Sequence, residues 1–203
     1  MARLNPRELS MMDSPLRGLS QRFVELPTFR RHLHKLGIDL TGRAILDAGC
    51  GNGRGLDLLQ RAFTPSRLVG IDLMPEQIER ARARNLRDVA VRVADITATG
   101  EPSASFDAVF VFGILHHVPA WRDALRELAR VLRPGGVLLV EELHGETARL
   151  SDRYLGTAHP PAAHFTWPEL RTGLAEAGFA IGRETALVFG AVRSFAAIRN
   201  RPA

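Results

Sequence analysis

Apolar and polar positions follow two different periods along this chain. From residue 44 onward, short apolar runs at 44–48, 68–71, 89–93, 108–112 and 137–140 alternate with stretches of helical spacing. Runs of that length, apolar but for Asp47 and Arg92, suit strands buried on both faces. Between them, Leu56, Leu58, Leu59, Ala62 and Phe63 recur at helical intervals. Pro75 opens a helix reaching about residue 85, at a position where its missing N–H costs nothing. Residues 121–132 place Leu125, Leu128, Ala129 and Leu132 on one face, and Pro134-Gly135-Gly136 ends the helix. Strands alternating with amphipathic helices predict a parallel sheet covered on both sides. The tail differs. A helix over 167–177 stops at Gly178, and strands at 179–188 and 191–198 flank Phe189-Gly190, so they must pair antiparallel.

The first 43 residues form a separate arm. Leu16, Leu19, Phe23, Leu26, Phe29, Leu33 and Leu36 make an apolar stripe, with Arg17, Arg22, Arg30, Arg31, His34 and Lys35 elsewhere. Pro27 is expected to break or kink it into two helices, and residues 1–13 to fray. Residues 144–167 lack clear periodicity and read as a lid or binding loop.

Composition narrows the class. A chain of 203 residues suits one α/β domain, and 45% hydrophobic with 24% charged residues is ordinary for a globular protein. One cysteine forbids an intrachain disulfide. No run reaches the ~18 residues of a membrane span, and the N-terminus lacks the apolar core of a secretory leader, so a cytoplasmic location is expected. The net charge is +5 and the isoelectric point about 10.7. Both invite a nucleic-acid reading. The arm carries eight basic and four acidic residues, whereas residues 44–203 carry 19 and 18. The main body is thus nearly neutral, which disfavours a nucleic-acid face. A basic amphipathic arm instead suits a lid or a peripheral contact with anionic lipid.

The most informative stretch is Asp47-Ala48-Gly49-Cys50-Gly51-Asn52-Gly53, between a strand and a helix. Glycines there permit a tight turn and close approach of a ligand. A dinucleotide-binding turn would need glycine at 54, where Arg54 stands. Asp72 ends the second strand, placed to accept ribose hydroxyls, and Asp95 follows the third, placed to accept an adenine amino group.

Together with Gly70-Ile71-Asp72-Leu73-Met74-Pro75, Ala94-Asp95-Ile96, the stretch from Phe106 to Val118 and Leu128-Ala129-Arg130-Val131-Leu132-Arg133-Pro134-Gly135-Gly136, this loop resembles the motif set of class I S-adenosylmethionine (SAM)-dependent methyltransferases. The closest flavour is the small-molecule branch that includes ubiquinone and menaquinone methyltransferases. The resemblance covers about residues 40–198. It implies a Rossmann-like α/β three-layer sandwich with a mostly parallel seven-stranded sheet and an antiparallel last strand. It makes 1–43 a helical arm over the pockets, 44–203 the SAM-binding domain and 144–167 an acceptor-side insertion.

The resemblance assigns SAM to Asp47, Gly49, Cys50, Gly51, Gly53, Asp72, Leu73, Asp95, Ile96, Phe112 and Gly113. The SAM carboxylate would meet the helix start near Arg54; its amino group would meet Asp47 and the Gly49 and Phe112–Gly113 carbonyls. The implied activity is methyl transfer to oxygen, carbon or nitrogen of a small organic acceptor, with S-adenosylhomocysteine as product. His116 and His117, after the fourth strand, are the candidate bases. Glu142, His144, Tyr154, His159, His164 and Trp167 are candidate acceptor contacts. Histidines 144, 159 and 164 match no standard ligand spacing, so no metal is expected. An RNA methyltransferase and a SAM-binding module without catalysis are the rival readings. A general base and the oligomeric state are not legible.

Overall fold

The computed structural model describes residues 6–201. Strands β1 (Ala44–Ala48), β2 (Arg67–Asp72), β3 (Val89–Val93), β4 (Phe106–Phe112), β5 (Leu132–Leu143), β6 (Phe179–Leu187) and β7 (Val192–Arg199) form one sheet in the order β3-β2-β1-β4-β5-β7-β6. β1 to β5 run parallel, and β7 lies antiparallel between β5 and β6. The strand order reverses between β1 and β4, and in open α/β sheets a ligand cleft opens at the carboxyl ends on either side of such a switch point. The central strands are mostly apolar because both faces are covered; every residue of β1 is buried, Asp47 included.

Helices α4 (Arg54–Phe63), α5 (Pro75–Ala83), α6 (Trp121–Val131) and α8 (Trp167–Glu176) connect or cover the strands. One core packs α6 and α8 against the sheet through Leu125, Leu128, Leu170 and Leu174. The other packs Leu56, Leu59 and Phe63 of α4 on the opposite face. The arm belongs to this second core. It comprises α1 (Pro6–Asp13), α2 (Pro15–Ser20), a π turn over Gln21–Glu25 and α3 (Leu26–Leu36). Phe29 of α3 is fully buried, with its ring 5.7 Å from Phe110 and 5.3 Å from Phe112.

Three local expectations need correction. Pro27 does not split the arm; it sits in the first turn of α3. Pro27 has no N–H for the carbonyl one turn back, and the wider π turn just before it absorbs the missing bond. Residues 6–13 are helical, while residues 1–5 of the stretch expected to fray lie outside the described residues. The segment 144–167 contains a full helix, α7 (Gly145–Leu155), capped where the His144 ring accepts the Glu146 N–H at 3.2 Å. Only Gly145 and Ala148 of α7 are buried, so no apolar stripe betrays it.

Candidate functional site

The loop joining β1 to α4 turns through three glycines in the left-handed region, with φ of 87° at Gly49, 51° at Gly51 and 80° at Gly53. Gly49 and Cys50 donate their N–H groups to the Ile71 carbonyl at 2.8 and 2.9 Å, which ties the loop to the end of β2. A Cβ on Gly49 would collide with Ile114. Asp72, also buried, accepts the Gly51 N–H and the Met74 N–H, each at 2.9 Å. Each bond occupies one lone pair of its oxygen, so acceptor capacity remains. Burial raises the Asp72 carboxyl above its ordinary range, although these N–H bonds oppose the shift.

Loop and arm border a cavity lined among others by Arg17, Gly49, Gly51, Asp72, Gln77 and Phe112. α4 starts on this cavity behind Gly53, which has no side chain to cap it; the Arg54 N–H meets Asn52 Oδ1 at 3.3 Å, and the rest of the positive end is available to an anion. The arm forms the roof. Asp13 accepts from Asn52 Nδ2 at 2.7 Å and pairs with Arg80, and Arg54 donates to the Ser14 carbonyl at 2.6 Å. Arg17 pairs with Glu25 and donates to the Phe112 carbonyl at 3.1 Å.

Beneath the loop lies Asp47, 1% exposed, with neither carboxylate oxygen hydrogen-bonded. A Cβ at Gly55 would stand 2.7 Å from its Oδ2, so only glycine leaves that oxygen room. Burial, and then the charge of Asp72, push the Asp47 carboxyl up to about 8 against the pull of Arg17. A carboxyl so placed is stabilised by a cation arriving from the cavity. Cys50 is buried and its thiol is raised well above the ordinary value, chiefly by desolvation, so it is not a nucleophile.

A second cavity, sharing Arg17, lies at the ends of β4 and β5 and is lined by Glu25, Gly113, His116 and Glu141. The Glu141 carboxyl is raised to about 8, mainly by burial and then by Glu25, and its Oε2 has no partner. Glu142 is fully engaged. It accepts the N–H of Ile114 at 2.9 Å and of Leu115 at 2.7 Å, and bonds His116 Nδ1 at 2.7 Å. It therefore pins the loop after β4 and orients His116.

The residues singled out in the sequence thus separate into groups. Gly49, Cys50, Gly51, Asp72 and Phe112 line the first cavity, with Asp47 behind it. Gly53 is the N-cap residue of α4. Leu73, Asp95 and Ile96 are not among its lining residues; Asp95 accepts from the Thr97 backbone and hydroxyl, each at 2.8 Å, and Ile96 is in the core. Gly113, His116 and Glu142 line the second cavity.

His159 joins His116 and His117, with ring centroids 4.3 to 5.1 Å apart. Burial and its two neighbours push His117 down to about 2. His164 lies beside Asp152, 3.7 Å away, while His144 caps α7 and faces Trp167. Trp167 is buried and donates to the Gly190 carbonyl at 3.1 Å, and Tyr154 is exposed on α7. Arg17, Asn52, Met74, Gln77 and Ile114 also line the first cavity and were not singled out. Met74 and Gln77 follow directly from the acid ending β2, whereas nothing local to Arg17 signals its bond to the Phe112 carbonyl, 95 residues on.

A parallel α/β sheet with a glycine loop and buried acids at its switch point defines a Rossmann-like domain built to hold a small charged ligand. Residues 46–140 match the family model described as a methyltransferase domain. Over 115 residues the chain is 38% identical to a probable S-adenosylmethionine-dependent methyltransferase of Mycolicibacterium smegmatis, covering 55% of this chain and 44% of that one. It is 37% identical over 102 residues to a fatty-acid O-methyltransferase of the same species, covering 50% and 37%. It is 33% identical over 126 residues to a ubiquinone biosynthesis O-methyltransferase of Xanthomonas oryzae, covering 60% and 52%. The structure of a SAM-dependent methyltransferase from Aquifex aeolicus shares the fold, with a TM-score of 0.75, 21% identity and coverage of 97% and 99%. The chain spans about half or less of the length of these sequence relatives. The chain is thus similar to SAM-dependent methyltransferases, in sequence over the methyltransferase-domain match at residues 46–140 and in fold over nearly its whole length.

Proposed function

We propose that this protein transfers the methyl group of SAM to an oxygen of a small organic acceptor. The observation that carries the reading is the buried, unpartnered Asp47 carboxyl under the glycine loop. SAM is a ligand with an ammonium for Asp47, a carboxylate for the start of α4 and Arg17, and ribose hydroxyls for Asp72. Its sulfonium then points toward the second cavity, where the acceptor sits. The methyl is already activated, so holding the two reactants in line supplies much of the acceleration. The choice of oxygen follows the relatives, which are named as O-methyltransferases.

An acceptor hydroxyl must also lose its proton. Glu141 lines the second cavity, and its raised carboxyl titrates where a general base is effective. Exposed Leu16, Leu19 and Phe23 on the arm, and Leu150 and Tyr154 on α7, support a peripheral contact with anionic lipid. Arg22 lies 5.3 Å over the Phe23 ring and Arg153 5.5 Å over Tyr154, so both patches pair apolar area with positive charge.

The test is incubation with methyl-labelled SAM and either an organic-soluble extract or an RNA fraction, followed by mass identification of the product. Label in a small hydroxylated compound is expected. Label in RNA alone, or in neither, would overturn the reading.

A further inference from the structure

We propose that His116, His117 and His159 form a binding site for a first-row divalent cation, Zn²⁺ by the chemistry of its donors. One ring nitrogen from each lies within 4.8 Å of the other two, so a small movement suffices to close them on one ion. The sequence separates them. His116 and His117 lie on the short 3-10 turn after β4, and His159 lies between α7 and the next 3-10 turn. The fold brings those two turns together.

All three side chains are buried, at 9%, 5% and 8% exposure. Two of them carry the feature that distinguishes ligand histidines from packed ones, a carboxylate behind the ring. His116 Nδ1 is 2.7 Å from Glu142 Oε2, and His159 Nδ1 is 2.6 Å from Asp152 Oδ1. A carboxylate on Nδ1 fixes the proton there and leaves Nε2 as the lone-pair donor, the arrangement that orients and strengthens imidazole ligands. The carboxylates are themselves held. Glu142 accepts the N–H groups of Ile114 and Leu115, and Asp152 accepts the His159 N–H at 3.1 Å and the Thr157 hydroxyl at 2.7 Å.

Three imidazoles, two of them backed by carboxylates, suit zinc and other borderline cations rather than Mg²⁺ or Ca²⁺, which take oxygen donors. Three protein ligands is also the count that leaves a coordination position for water or a substrate oxygen. His116 borders the second cavity, so that position belongs on the acceptor side. The assignment departs from the expectation of no metal. Spacing arguments compare histidines near in sequence, and this trio draws two members from one turn and the third from 42 residues on. It also reassigns His116 and His117, since a nitrogen bound to a cation cannot serve as a base.

The test is titration of the chelator-treated full chain with Co²⁺ and then Zn²⁺. One equivalent of Co²⁺ is expected, with the visible absorption of a four-coordinate site, displaced by Zn²⁺. His159→Gln should abolish stoichiometric binding. Asp152→Asn should weaken it about 10–100-fold. Both variants should keep wild-type SAM affinity, which separates loss of the metal from loss of the fold. X-ray absorption at the zinc edge of the loaded wild-type protein should count three imidazoles, a readout independent of any variant. No saturable Co²⁺ or Zn²⁺ binding by the wild-type chain would overturn the proposal, as would a zinc edge showing one imidazole or none.

Discussion

Asp47 and Gly55 show how closely the cofactor cavity is specified at single positions. A carboxyl raised to about 8 is protonated at neutral pH, and an isolated one would be a poor anchor for a cation. Its folded value lies above the unfolded one. Its contribution therefore favours the folded state fully below the ordinary carboxylate range, and is lost as pH rises toward 8. A bound ammonium reverses this by drawing the proton off. SAM binding should release a proton, and affinity should climb from about pH 6 toward 8, approaching about tenfold per unit. Calorimetry in two buffers of different ionisation enthalpy measures that release. Asp47→Asn should flatten the dependence and weaken binding at pH 8 while leaving thermal stability at pH 7 unchanged. An equally steep pH dependence in that variant would contradict the role. At Gly49, alanine would meet both a φ of 87° and the Ile114 side chain, and SAM binding should fall with it.

Among the elements, α3 shows what a sequence pattern can predict. Its apolar stripe is plain, and Phe29 docks where the stripe requires, on Phe110 and Phe112. Phe29→Ala should cost about 3–5 kcal/mol in denaturant unfolding. A loss under ~1 kcal/mol would mean that the arm is not part of the core. The central strands of the parallel sheet were equally legible, because burial on both faces writes mostly apolar runs. Helix α7 was not, because it buries only one small corner and exposes Leu150, Tyr154 and Leu155.

Candidate residues divide the same way. Gly49, Gly51 and Asp72 were readable because a local turn assembles them. The pairing of Arg17 with Glu25 beside Glu141 and the meeting of His159 with His116 depend on long-range packing that no spacing encodes. Glu142 illustrates the difference. Its position at the end of β5 was visible, but its four backbone and imidazole donors appear only when β4 and β5 are paired. At the preceding position, Glu141→Gln should lower kcat by about 10²–10⁴-fold with SAM affinity unchanged. Wild-type turnover in that variant would remove Glu141 as the base.

For the whole molecule, the charge distribution and the arm tell one story. The nearly neutral body holds the cavities, and the basic arm covers them through Asp13, Arg17 and Gln21. The ligand enters only if the arm's first turns lift, so SAM should slow amide exchange across residues 6–25. The apolar and arginine-rich outer face of the arm should also bind anionic vesicles. Co-sedimentation with such vesicles should fall with rising salt and with Phe23→Ser; binding to neutral vesicles alone would contradict it.

The central claim is that the glycine-loop cavity holds SAM through Asp47 and Asp72. Titration calorimetry of the full chain with SAM, with nicotinamide dinucleotide as the comparison, tests it most directly. One saturable SAM site is predicted, absent for the dinucleotide and abolished by Asp72→Ala. Undiminished SAM affinity in Asp72→Ala, or no saturable SAM binding by the wild-type chain, would contradict it.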